Sequence, residues 1–185
     1  MSGQPSYGAT AKVFHWLIVS LLMVQYTIGW LMPDIHSGMK PGDAMMFHVS
    51  FGIMILVFIV IRFFWRITHP VAPESSLPVW QRLTSEAVHW LLYALVLATT
   101  LSGWLLASQR GWSISLFFLV PLPMLTSQSS PIAGSIGGWH GAMEWALLVV
   151  IGAHVAAAVA HIYIYRDGIM QRMLPESGTK LSQRR

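Results

Sequence analysis

The chain has 185 residues, of which 55% are hydrophobic and only 10% are charged, and its mean hydropathy is +0.58. Soluble domains contain about 45–50% apolar and about 25% charged residues, so the composition argues against a soluble single-domain enzyme. The formal net charge is +4, but the basic residues lie at the ends of apolar runs, which indicates a membrane surface rather than nucleic acid as the partner. The absence of cysteine excludes disulfides, thiolate metal clusters and covalently attached c-type haem.

Apolar stretches long enough to cross a bilayer, which takes about 20 residues, occur four times in chain order. We predict membrane-spanning helices at about 14–33, 46–65, 88–108 and 139–163. The segment 111–138 is interrupted by prolines and glycines, so we predict that it lies at the membrane interface. A secretory signal peptide is an alternative for the first stretch, but its full helix length and the lack of a small-x-small cleavage site favour a span.

The charges predict the direction of the bundle. Four spans place both termini on one side, and all eleven Lys and Arg residues except Lys40 and Arg110 lie on that side. The positive-inside rule therefore predicts cytoplasmic N and C termini. The sequence predicts an all-α membrane protein, with a single domain over 1–175 and a polar tail over 176–185.

Four histidines lie within or at the mouth of a predicted span: His15, His48, His140 and His154. Ionisable groups are costly in lipid, so each is a functional candidate. His140 and His154 share one face of the last helix and are about 21 Å apart along its axis, which indicates two sites at different depths. Helix direction then pairs His48 with His140 on the outer side and His15 with His154 towards the cytoplasm.

Two opposed imidazoles without a third protein ligand suit the two axial positions of a haem iron. Zinc prefers four ligands, and neither depth offers a cysteine or a carboxylate pair to complete such a set. A single histidine in a span is equally compatible with a hydrogen bond between helices. The matched depths of all four favour a four-helix bundle that encloses two non-covalently bound b haems.

Other residues repeat the 14-residue spacing that separates His140 from His154. Gly29 and Gly103 follow His15 and His89 by this step, and we expect the missing side chains to let a porphyrin approach the backbone. Gly52 lies one turn beyond the outer ligand of the second helix. The alternative for all three glycines is close helix packing.

Basic and ionisable groups cluster near the predicted cytoplasmic site. Arg62 is at the depth of this site on the second helix, where its guanidinium is expected to pair with haem propionates. His89 and His161 lie at the cytoplasmic helix ends and are candidates to hydrogen-bond a propionate or a quinone carbonyl. The alternative is that both are solvated interfacial residues.

Several motifs together resemble the bacterial di-haem cytochrome b-561 proteins, and among them the superoxide oxidase-like group. They are FHWL at 14–17, HVSFGI at 48–53, HWLLYALVLATTLSGWL at 89–105 and the helix 4 stretch over 140–175. The resemblance covers about 12–175. It implies four transmembrane helices in the bacterial inner membrane, two b haems and bis-histidine ligation by His15, His48, His140 and His154.

The resemblance also implies an activity, the oxidation of periplasmic superoxide to oxygen with electrons passed to ubiquinone, or the reverse from ubiquinol. Lys40 and Arg110 are then candidates to steer the anion on the outer side, although Asp34, Asp43 and Glu144 make that side net −1. The alternative is a cytochrome b anchor and electron conduit for a separate dehydrogenase or hydrogenase partner. A third interpretation is histidine-bound zinc or copper transport.

Overall fold

The computed structural model describes residues 7–34, 39–71, 77–128 and 133–174. Within these ranges the chain is mostly helical, and its helices are α1 (Ala9–Leu31), α2 (Asp43–Thr68), α3 (Val79–Gln109) and α4 (Ala133–Ala160). Four helices in the described ranges are long and apolar enough to cross a membrane. The predicted all-α fold with four membrane-spanning helices is therefore confirmed. The predicted polar tail over 176–185 lies outside the described residues.

The helices extend beyond their apolar stretches. α3 begins at Val79 rather than at residue 88, because its polar first turns continue the backbone hydrogen bonding outside the apolar segment. α4 begins at Ala133, so the predicted interfacial segment 111–138 ends too late. Glycines near the start of α4 suggested a loop, but a glycine costs a helix only about 1 kcal/mol and does not end it.

The helices pack in chain order, α1 against α2, α2 against α3 and α3 against α4. We call the end that carries the start of α1 and the end of α4 the inner end, and the opposite end the outer end. A buried apolar layer between the two ends draws on all four helices: Ile18, Leu21, Ile55, Ile59, Tyr93, Val96 and Leu147. Large apolar side chains such as Met23 and Val149 point away from it and are 66% and 69% exposed, as expected of helices solvated by lipid.

The segment after α3 forms a short hairpin against α2. Its strands are β1 (Ser115–Leu116) and β2 (Val120–Pro121), which pair antiparallel. The fully buried Ser50 of α2 holds the turn, because its Oγ accepts a hydrogen bond from the backbone N–H of Phe117 at 2.9 Å. The hairpin thereby closes over the outer half of α2.

The chain after α4 returns to α1 at the inner end. α4 continues as a π-helical turn over His161–Tyr165, and a 3-10 turn follows at Met170–Arg172. The indole Nε1 of Trp16 in α1 donates a hydrogen bond to the backbone oxygen of Met173 at 3.0 Å. This contact ties the inner ends of the first and last helices together.

Candidate haem sites

The outer site contains the imidazoles of His48 and His140. Their ring centroids are 6.4 Å apart, and both rings line a cavity of about 330 Å³ among the outer halves of the four helices. When two opposed imidazoles bind one metal ion, each through a nitrogen about 2 Å from the metal, their ring centroids are about 6 Å apart. The spacing, the donor set and the adjoining cavity therefore fit a bis-histidine haem.

Neighbouring polar groups of α3 orient His140. Its Nδ1 lies 3.1 Å from the backbone oxygen of Thr99 and 3.1 Å from the hydroxyl oxygen of Ser102. A carbonyl oxygen only accepts hydrogen bonds, so Nδ1 carries the proton and Nε2 keeps its lone pair for a metal. Such a contact behind a ligand fixes the tautomer and the ring plane, as in other metal-bound histidines.

Gln25 of α1 is an outer-site residue that the sequence analysis missed. Its amide Nε2 lies 3.1 Å from Nε2 of His48, and because an amide nitrogen only donates, Nδ1 of His48 carries the proton. Among the described residues, Nδ1 of His48 and Oε1 of Gln25 are both buried without a partner. An unsatisfied buried polar group costs about 1–3 kcal/mol, which indicates a site shaped for a group that is not part of the chain.

The predicted glycines lie beside the outer side chains and leave room for them. A Cβ added to Gly103 would lie 2.9 Å from Cε1 of His140, and one added to Gly29 would lie 3.5 Å from Cε1 of His48. A Cβ on Gly52 would lie 3.5 Å from Nε2 of Gln25. The space these glycines leave is used by the imidazole rings and the amide. That they also admit a porphyrin stays a prediction.

The inner site contains three imidazoles. The centroids of His15 and His154 are 6.4 Å apart, the same separation as in the outer pair. His89 of α3 lies closer to His154, at 5.3 Å. Over the described ranges, no three His, Asp or Glu side chains converge as ligands of one metal ion. The inner site thus offers a second opposed pair with His89 beside it, and it does not offer a zinc-type set.

Arg62 of α2 joins three helices next to the inner site. It donates from Nε to the hydroxyl of Tyr93 in α3 at 3.1 Å and from a terminal nitrogen to the backbone oxygen of Ala11 in α1 at 2.8 Å. The guanidinium lies within electrostatic range of His15 and His154. Arg62 thus lies next to the inner site, its predicted pairing with haem propionates stays a prediction, and its contact with Tyr93 was not anticipated.

His161 begins the π-helical turn below the inner site. Its Nδ1 lies 2.7 Å from Oδ2 of Asp167, and its ring packs on Tyr165 at 5.1 Å. The structure thus places His161 against the segment after α4 rather than against His15 or His89. Asp167, which no spacing argument singled out, fixes its orientation.

Of the two predicted basic residues, Arg110 lines the outer cavity, and Lys40 follows a residue that contacts the cavity residue Trp112. The guanidinium of Arg110 lies over the Trp112 ring, 5.0 Å from its centroid. The indole Nε1 of Trp112 donates to the backbone oxygen of Met39 at 3.0 Å, and Lys40 is the next residue. Glu144 also lines the cavity, so the rim has mixed charge.

Comparisons with known proteins agree with this arrangement. The family model described as prokaryotic cytochrome b561 matches residues 6–176. "Cytochrome b561 homolog 2" of Escherichia coli (strain K12) is 29% identical over 177 residues, which cover 94% of this chain and 93% of that protein. "Probable superoxide oxidase CybB" of Yersinia pestis is 28% identical over 163 residues, covering 88% of this chain and 92% of that protein.

A further relative, "Cytochrome b561 homolog 1" of Escherichia coli (strain K12), is 27% identical over 178 residues, or 91% of this chain and 97% of that protein. The family match spans all four helices and both histidine sites, so the resemblance seen in the sequence motifs is confirmed. The chain belongs to the prokaryotic cytochrome b561 family of haem b-binding bacterial membrane proteins that transfer electrons.

Proposed function

We propose that this chain is a di-haem b cytochrome that transfers electrons between superoxide or oxygen at the outer end and ubiquinone at the inner end. The observation that carries the proposal is the pair of opposed imidazoles at each end of the bundle, both with a centroid distance of 6.4 Å. The likeness to a protein named as a probable superoxide oxidase supports superoxide as the substrate.

Haem b held by His48 and His140, and by His15 and His154, would supply the reversible one-electron chemistry that the side chains lack. The chain's own residues do the rest. Thr99 fixes the ligand plane of His140 through its backbone oxygen. The buried apolar layer, with Ile55 fully buried, separates the two sites and keeps water out of the middle of the bundle.

The overall reaction needs little acid-base chemistry at the outer end. Two superoxide anions lose one electron each and become two molecules of oxygen. One ubiquinone accepts both electrons and two protons and becomes ubiquinol, and the reverse reaction makes superoxide from ubiquinol and oxygen. Lys40 and Arg110 attract the anion at the outer rim, an effect that salt weakens.

The inner end must hold the quinone and supply protons. His89 lies beside His154, and a hydrogen bond to Asp167 orients His161, so these two imidazoles are our candidates to bind a quinone carbonyl. We place the quinone at this end on the basis of these two side chains. In this proposal both termini are cytoplasmic, because the Lys and Arg residues are concentrated at the inner end.

Mixing the purified full chain with superoxide in a stopped-flow spectrometer tests the activity. We expect superoxide to reduce the bound haem directly, and added ubiquinone to reoxidise it. Reduction that requires an added dehydrogenase or hydrogenase would instead identify the chain as the anchor and electron conduit of a partner enzyme.

The haem count tests the site assignment separately. We expect a pyridine haemochrome assay to give two b haems per chain. A preparation that binds zinc or copper but holds fewer than two haems would refute the pairing of the four histidines.

A further inference from the structure

A second cavity, of about 350 Å³, lies at the inner end between the start of α1, the end of α2 and the start of α3. We call it the inner cavity, and its polar and aromatic lining includes Arg62, Trp65, Arg66, His69, Glu86 and Trp90. His89 and His154 face each other between α3 and α4 and are not part of this lining. The imidazoles assigned to haem and quinone therefore lie outside the inner cavity, which shares Arg62 with the inner site.

The charges on the wall of the inner cavity are not neutralised by the described part of the chain. The guanidinium of Arg66 lies over the rings of Trp90 and Tyr93, 5.4 and 5.9 Å from their centroids, and makes no hydrogen bond or ion pair with a described residue. Glu86 is exposed to solvent and pairs with neither arginine. Two guanidinium groups thus face one solvated carboxylate, an arrangement that favours an anionic ligand.

The remaining walls suit a lipid rather than a small soluble anion. The ring of Trp65 stacks on His69 at 3.9 Å, and tryptophans at helix ends sit at the level of the lipid headgroups. Phe64 and Ile67 of α2 are 57% and 50% exposed and form an apolar surface next to these rings. Basic pockets between transmembrane helices with such surroundings bind the headgroups of anionic lipids.

We propose that the inner cavity binds the phosphate headgroup of an anionic membrane lipid. Arg66 and the remaining terminal nitrogen of Arg62 pair with the phosphate oxygens, as guanidinium groups do with phosphate elsewhere. The acyl chains lie along Phe64 and Ile67 on the lipid-facing side of α2. Free phosphate shares the headgroup chemistry but gains nothing from this apolar surface.

Native mass spectrometry of the full chain, mixed in neutral detergent with phosphatidylglycerol or phosphatidylcholine, tests the proposal. We expect one phosphatidylglycerol to be retained about tenfold more strongly than phosphatidylcholine. Arg66→Gln should lower phosphatidylglycerol retention about tenfold, and Arg66→Lys less, because a charge remains. The control Arg166→Gln removes the same charge from an exposed side chain at the same end and should leave retention unchanged.

Equal retention of the two lipids, or equal losses in Arg66→Gln and Arg166→Gln, would overturn the proposal. Displacement of the lipid by millimolar inorganic phosphate would also overturn it, because the site would then take free phosphate. Circular dichroism and the haem spectrum of Arg66→Gln show whether the variant is folded. If it is not, the lipid preference of the unaltered chain and the phosphate competition still decide the question.

Discussion

The outer and inner histidine sites share one dimension and differ in nearly everything around it. In both, the opposed imidazole centroids are 6.4 Å apart. The outer pair lines a cavity, with Gly29 and Gly103 beside its rings, and Gln25 contacts His48 through its amide nitrogen while its amide oxygen is buried without a partner. The inner pair has a third imidazole, His89, and a guanidinium, Arg62, within electrostatic range.

This difference separates two ways of building a site in a membrane. At the outer site, small residues leave space for the rings between packed helices. At the inner site, the guanidinium of Arg62 places a fixed positive charge near the rings. A nearby positive charge stabilises the electron-rich state of a redox group, so the asymmetry favours electrons at the inner end. In the proposed function it therefore drives electrons from superoxide towards the quinone.

The largest expected effect comes from removing one ligand of each pair. His140→Ala should leave one b haem per chain at the inner site, and His154→Ala should leave one at the outer site, because each iron loses an axial ligand. The pyridine haemochrome assay measures the count. His69→Ala, which alters an exposed histidine stacked on Trp65, is the control and should keep both haems. Two haems in either ligand variant would contradict the pairing.

The glycines of the outer site offer a matched pair of smaller changes. Gly103→Ala places a Cβ 2.9 Å from Cε1 of His140 and forces the ring to shift, whereas Gly29→Ala makes an ordinary contact of 3.5 Å with His48. Overpacking of this kind costs about 1–3 kcal/mol, so we expect haem affinity at the outer site to fall roughly tenfold in Gly103→Ala. In Gly29→Ala, the haem affinity of the outer site should fall by less than twofold. Haem titration into the apoprotein measures both, and equal affinities would remove the steric argument.

Helical periodicity and chain direction explain how much was predictable. The 14-residue step and the antiparallel helices suffice to match His48 with His140 and His15 with His154 in depth. The contacts of Gln25 were not predictable, because a lone amide in an apolar helix does not reveal which neighbour its rotamer reaches. The start of α4 was misplaced for another reason. The glycines at the start of α4 lower its intrinsic helix propensity, but the packing of the helix in the bundle outweighs this cost.

At the inner site, Arg62→Gln tests whether the charge of Arg62 makes the haem potential of this site differ from that of the outer site. Loss of the positive charge should lower the midpoint potential of the inner haem by several tens of millivolts, because the oxidised state is no longer disfavoured. The outer haem should be unaffected. A redox titration followed by absorbance measures both, with Arg166→Gln as the control for a charge at the same end. Equal shifts of the two haems would show that the charge acts on the whole bundle rather than on one site.

The smallest expected effect concerns Gln25. It shows whether the Gln25 amide supports His48 as a ligand or competes with a haem iron for its nitrogen. Its amide donates to Nε2 of His48 at 3.1 Å, and this lone pair is the one that a metal would take. Gln25→Leu removes the competing hydrogen bond and the unsatisfied Oε1, so we expect outer-site haem affinity to rise about fivefold, the equivalent of about 1 kcal/mol. Gln25→Glu keeps the size but changes the donor to an acceptor, and it should not reproduce the gain. Weaker haem binding in Gln25→Leu would mean that the amide supports the ligand, so that the outer site depends on polar contacts as much as the inner one does.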